Sequence, residues 1–233
     1  MSAVREFLSG SAFFAVGLSV FGYLIGLAAK KKVKSAIANP LLIAIAVVVA
    51  ALWLTGVDYE AYRAGAQPLS YLLTPATVCL AVPLYSQLGQ LRRCWKAAAA
   101  GVAAGVLVNM LCVLGGALLF KFSHVQYVTV MPKSVTTAIG IAVSAEFGGI
   151  QSVTVASIIV TGIFGNIAAE HILNAARVYD PVARGLAIGV GAHVVGTARA
   201  LELGEVEGAM SSLAIVLTGF LTVALAPIFV NFA

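Results

Sequence analysis

Long, unbroken apolar runs constrain this chain more than any other feature. Residues 97–120 and 208–230 contain no charged side chain at all. A helix that crosses a bilayer needs about 20 such residues. The runs lack the apolar–polar alternation of a barrel strand. In lipid the backbone must satisfy its own hydrogen bonds, so the fold is a helix bundle. Composition points the same way: 61% of residues are hydrophobic, 10% are charged, and mean hydropathy is +1.02. A soluble domain carries about 25% charged residues. The reading is an all-α polytopic membrane protein, with one transmembrane domain over residues 1–233.

The spans follow in order. Residues 7–29 form the first, too long for a cleaved secretory signal and followed, not preceded, by basic residues. Residues 39–56 form the second, opened by Asn39-Pro40, a cap and first-turn pair. Residues 97–120, 150–174 and 208–230 are further spans. Residues 68–90 are broken by Thr74-Pro75 and Pro83, and residues 125–145 by Met131-Pro132-Lys133. Residues 184–199 are Gly-rich and short for a span. The total is six to eight membrane segments.

The net charge of +5 does not indicate nucleic acid. Lys30, Lys31, Lys32 and Lys34 form one short-loop cluster, and Arg92, Arg93 and Lys96 another. Such clusters are the orientation signal of a multi-pass inner-membrane protein. They place the first loop in the cytoplasm and the N-terminus outside. Arg177 and Arg184 mark another cytoplasmic loop. Cys79, Cys94 and Cys112 form no CxxC pair and have no His at ligand spacing, so they read as packing residues.

The two broken segments match at an offset of 57 residues. Pro75-Ala76-Thr77-Val78 stands against Pro132-Lys133-Ser134-Val135, and Gly105 and Asn109 stand against Gly162 and Asn166. This suggests an internal repeat over about 75–109 and 132–166. Repeated broken helices point to a transporter site. Proline is favoured at the first helical position, so Pro75 and Pro132 read as new helix starts within the membrane. A helix start presents unpaired N–H groups and the positive dipole end to an anion. The bland alternative is a proline kink. If the repeat is inverted, at least one broken segment is re-entrant.

Lys133 lies in this apolar setting beside Ser134, Thr136 and Thr137. A cation near the bilayer centre costs at least about 2.5 kcal/mol and needs a partner or an anionic substrate. The alternative is a lysine snorkelling to the interface. Glu146 fits a membrane surface. Glu170 and His171 fit either a helix end or a proton relay. His193, among Gly189, Gly191 and Gly196 with Thr197 near, fits either a packed donor or a group facing a polar cavity. The sequence has no HExxH, GxSxG or Walker-type motif, so no enzyme chemistry, metal or cofactor is expected.

The run Leu73-Thr74-Pro75-Ala76-Thr77-Val78-Cys79-Leu80-Ala81-Val82-Pro83-Leu84-Tyr85 resembles the LrgB/CidB family signature. So do Pro132-Lys133-Ser134-Val135-Thr136-Thr137, the stretch from Asp180 to Gly189, Ala192-His193, the stretch Gly196 to Ala200, and the stretch Gly208 to Ala214. The resemblance covers nearly the whole chain. It implies one of two roles. One is transport of small carboxylates such as pyruvate, or glycolate and glycerate as in the plastid relative. The other is holin-like control of murein hydrolases and autolysis. Because the plastid relative fuses an LrgA-like part to an LrgB-like part, a separate LrgA/CidA-like membrane partner is implied. The family pattern commonly has Pro where Ala138 and Gln151 stand, and Gly-Pro near Ala169-Glu170. Glu170 and His171 therefore depart from it.

The expected function is secondary transport of small monocarboxylates, coupled to protons or another cation, in the bacterial inner membrane. The expected substrate-binding residues are Thr74, Pro75, Thr77, Asn109, Pro132, Lys133, Ser134, Thr136, Thr137, Asn166, His193 and Thr197. Glu170, His171 and His193 are the proton-coupling candidates. A homo-oligomer in contact with lipid, without nucleic acid, completes the expectation.

Overall fold

A computed structural model describes residues 8, 10–33, 40–72, 75, 78–79 and 81–232. Every regular element among them is helical. The chain forms two compact units, Met1–Cys79 and Leu80–Ala233. Five helices are long and apolar enough to cross a membrane by length and composition, and two shorter apolar ones accompany them. The protein is a polytopic membrane protein.

In the N-terminal unit, α1 (Ala12–Val33) packs on α2 (Pro40–Thr55). Small residues permit the approach: a methyl group added at Gly22 would sit 3.5 Å from Ala44 Cα. Asp58 caps α3 (Tyr59–Gly65) through the Glu60 N–H, and the Tyr62 hydroxyl meets Ser19 of α1 at 2.7 Å. A short α4 (Gln67–Tyr71) follows.

The C-terminal unit contains α5 (Ala81–Ser86), α6 (Leu88–Leu119), α7 (His124–Val130), α8 (Thr137–Glu146), α9 (Gln151–Ala175), α10 (Pro181–Leu203) and α11 (Glu205–Phe229). Its core joins Val102, Val106 and Met110 of α6 to Tyr127 and Met131, and to Met210 and Ala214 of α11.

The segment 124–146 does not cross the membrane. It enters, turns and returns. Thr154 Oγ1 donates to the carbonyl of Thr129 on the inbound arm and bonds Ser144 on the outbound arm, at 2.8 and 2.7 Å. The arms thus run side by side, and the turn between them holds Pro132, Lys133 and Ser134. The broken reading of residues 125–145 is therefore right in position but needs one correction. Pro132 does not start the second helix. It lies in the turn, and α8 begins five residues later with Thr136 as its N-cap.

The segment 181–203 is long enough to cross and does not. His193 interrupts it with φ 43° and ψ −142°. Beyond that point the chain folds back on itself. A methyl group added at Gly196 would lie 3.3 Å from the Ile188 carbonyl oxygen, eight residues earlier. In a straight helix eight residues are about 12 Å apart. Ile188 and Ala200 share one buried cluster with Leu173. Ser211 of α11 touches both arms: it hydrogen-bonds Thr197 at 2.7 Å, and its Cα lies 2.9 Å from a methyl group added at Gly189. The sequence reading of 184–199 as a short Gly-rich segment thus becomes the inner part of a second hairpin.

The two hairpins enter from opposite faces. Helix α9 provides the scale. Thr154, near its start, contacts the arms of the first hairpin. Glu170 and Leu173, near its end, contact the second. Between them, Ile158 accepts from the His193 ring, and Gly162 abuts the same ring. An arm of ten residues reaches about 15 Å, half of a hydrocarbon core roughly 30 Å thick. Both tips therefore lie near mid-depth. The face at which α9 ends and both arms of α10 emerge is called face A, and the opposite one face B. Arg92, Arg93, Lys96, Arg177, Arg184 and Arg199 lie toward face A, and Lys121 toward face B, the charge bias expected of a cytoplasmic face A.

Candidate functional site

The tip of the first hairpin presents a charged cluster. Lys133 Nζ donates to Asn109 Oδ1 at 2.7 Å and to Ser134 Oγ at 3.2 Å, while Ser134 Oγ donates to the same Asn109 oxygen at 3.1 Å. Asn109 comes from α6, so the lysine is held from across the unit. Ser134 and Pro132 are buried and Lys133 is half-buried. The residue types explain the arrangement. Pro132 cannot extend α7 past its donor-less nitrogen, which frees the following residues to form a turn. An amide oxygen is the neutral acceptor that keeps an ammonium without neutralising it. No carboxylate among the described residues pairs with Lys133. Thr136 caps α8 by position only, without a side-chain hydrogen bond to the helix start. The tip thus combines a cation with an uncapped helix N-terminus, both favourable to an anion.

Beside Lys133 lies a cavity of about 320 Å³ between α9 and the first arm of α10. Thr161, Gly165 and Ala169, spaced four apart on α9, line one wall, and Ala187, Gly191 and Ala192 line the other. Gly165 and Ala192 lie at tip depth, while Ala169, Leu173 and Ala187 lie nearer face A. The cavity therefore runs from Lys133 toward face A. Its walls are mostly apolar, with Lys133 and Thr161 as polar groups, the usual composition of a small-molecule site.

The tip of the second hairpin is polar in a different way. The Nε2 of His193 meets the Ile158 carbonyl at 2.9 Å, and Thr197 donates to the His193 carbonyl at 2.9 Å. The amide of Asn166 donates to the Val195 carbonyl at 2.8 Å. These contacts tie the tip to α9 and fasten the start of the second arm. His193 is buried and is not among the cavity-lining residues.

The expected site residues thus fall into groups. Asn109, Lys133 and Ser134 come together, with Pro132, Thr136 and Thr137 in the same tip. Asn166, His193 and Thr197 gather at the other tip. Glu170 pairs with Arg199 across α9 and α10, and His171 is exposed. Thr74 and Thr77 lie outside the described residues, and Pro75 belongs to the N-terminal unit, where it is exposed. The expected site residues did not include Thr161, Gly165 or Gly191, although Gly191 stood out beside His193. Their signal was present as small or hydroxyl residues repeating at four-residue intervals on an apolar helix.

The sequence profile of the LrgB-like family matches residues 19–232, and the chain belongs to this family. It is a family of membrane transporter and holin-like proteins, not an enzyme class. No solved structure matches the chain.

Proposed function

We propose that this LrgB-like protein is a secondary transporter of small monocarboxylates, of the pyruvate or glycolate and glycerate class, coupled to protons or another cation. The observation that carries the reading is Lys133. An amide and a hydroxyl hold its ammonium at mid-depth, at the inner end of a cavity that leads to face A. A carboxylate entering that cavity would supply the counter-charge the lysine lacks. Opposed half-depth hairpins support the same reading, because non-helical backbone at membrane depth is tolerated where it lines a cavity. Closing the face A side and opening the face B side around a fixed lysine would carry the substrate across.

Family membership also fits a holin-like regulator acting with an LrgA/CidA-like partner. That role needs neither a mid-depth lysine nor a cavity. The bacterial inner membrane, an LrgA-like partner and a homo-oligomer are parts of the proposal. The test is uptake of labelled pyruvate and glycolate into proteoliposomes holding the purified protein. Saturable uptake that Lys133→Ala removes supports transport, and no uptake of any small monocarboxylate above protein-free vesicles sinks it.

A further inference from the structure

A second cation lies one helical turn beyond the cavity-lining Ala187, on the face A side. Arg184 is in the first turn of α10, and its Nε and one terminal nitrogen are buried without a hydrogen-bond partner among the described residues. No carboxylate among the described residues pairs with Arg184: Glu207, whose backbone packs on the neighbouring Gly185, aims its carboxylate at Gly204 instead. Asp180 spends its carboxylate on the Ala183 N–H at 2.9 Å, capping the helix. Glu170 and Glu202 are both bound to Arg199. Two buried donors without a partner on a half-buried guanidinium are costly, so its position points to an anion that the chain does not itself provide.

The placement says which anion. Residues three, four and seven positions apart share one helix face. Arg184 shares its face with Ala187, Ile188 and Gly191, all of which line the cavity. Helical side chains lean toward the N-terminus, which at this end of α10 is toward face A. We infer that Arg184 is the entry station of the transport path: its guanidinium binds the carboxylate of the incoming substrate at the mouth of the cavity, before Lys133 receives it. Seven residues of helix separate Arg184 from Gly191, about 10 Å. A two- or three-carbon acid cannot touch both cations at once, so they act in sequence. A planar guanidinium suits a carboxylate bidentately, which an ammonium does not.

This rests on the transport reading, and the experiment separates the two. Uptake rates of labelled pyruvate and glycolate are measured against concentration in vesicles of each orientation, for wild type, R184Q, R184K and K133A. Losing one or two charge-assisted hydrogen bonds of about 1.5–3 kcal/mol corresponds to a 10- to 150-fold rise in KM. The expected result is such a rise in R184Q when substrate is offered at face A, with a smaller change at face B, and a partial rise in R184K. If R184Q does not fold, the face-dependent rise in R184K carries the test. Unchanged KM in the Arg184 variants beside an inactive K133A overturns this inference alone. Normal transport by K133A overturns the underlying reading. The same oxyanion chemistry could come from a lipid phosphate. An R184Q effect seen in phosphatidylglycerol vesicles and absent in phosphate-free digalactosyldiacylglycerol vesicles would assign the guanidinium to the headgroup and overturn the inference.

Discussion

The hairpin entering from face B and the hairpin entering from face A reach the same depth by different means. The first turns at Pro132, through six residues between α7 and α8, with a charged side chain at its tip. The second turns at one residue, His193, whose backbone takes a left-handed φ that costs a non-glycine residue about 1–3 kcal/mol. Its tip carries no formal cation, and its arms are fastened by Thr197, Ser211 and Asn166. The contrast assigns different work to the two halves. One tip offers its polar groups to a ligand, and the other spends them on its own backbone.

That contrast breaks most visibly at Lys133. Lys133→Ala is expected to abolish uptake of pyruvate and glycolate while the protein still inserts, with apparent affinity falling roughly 10- to 150-fold. His193→Gln, which keeps a donor for the Ile158 carbonyl, is expected to retain uptake with an unshifted pH profile between about pH 5 and 8, the range in which an ordinary imidazole titrates. A profile that flattens in the variant would show that His193 also serves proton coupling, and the division of labour would fail.

The next largest effect concerns packing. In Gly162→Ala the new methyl group would sit 2.6 Å from His193 Cε1 and 2.9 Å from Val195 Cβ, against a tip with little freedom to move. Overpacking of this kind costs about 1–3 kcal/mol. In Gly140→Ala the methyl group meets the flexible end of the Ile158 side chain, with the Pro132 carbonyl oxygen 3.4 Å away. Thermal unfolding in detergent is expected to show the larger loss for Gly162→Ala, and equal losses would mean the two tips are equally compliant.

The polar ties should matter less. Thr197→Val removes one bond to Ser211 and one to the His193 carbonyl, at about 1 kcal/mol. Thr154→Val removes the bonds that join the Thr129 carbonyl and Ser144 on the other side, where both arms of the first hairpin meet α9, and is expected to cost more in the same unfolding measurement. The smallest change belongs to Glu170→Gln. Its ion pair with Arg199 is about one-third exposed, and such pairs contribute about 0–1 kcal/mol. A loss above that range would make the pair a structural clamp of the second hairpin.

How far the sequence revealed these hairpins follows from the residues that make them. Pro132 announced the first break, because proline forbids a continuing helix whatever surrounds it. It did not announce where the next helix begins, since Thr136 is chosen by the turn that Lys133 and Ser134 adopt. The Gly-rich stretch 184–199 marked the second region, but nothing local placed its break at His193. Histidine is an ordinary helix residue, and the fold-back depends on Gly189 meeting Ser211 of α11, distant in sequence, and on Gly196 meeting Ile188 of the other arm. Lys133 was legible as a site residue because a lysine among apolar residues is costly. Its partner Asn109, 24 residues away, entered only through the proposed repeat. Most of residues 73–80, where that repeat begins, lie outside the described residues.

The fold-back of α10 also fixes a parity. In the C-terminal unit α6, α9 and α11 pass from one face to the other, whereas α10 returns to the face it left. Three passages is an odd number, so Phe232 and Arg92 sit on opposite sides of the bilayer. Were α10 a fourth passage, they would share one side. A reporter that is active only outside the cytoplasm, fused after Phe232, would therefore light up if His193 turns the chain around, and stay dark if it does not.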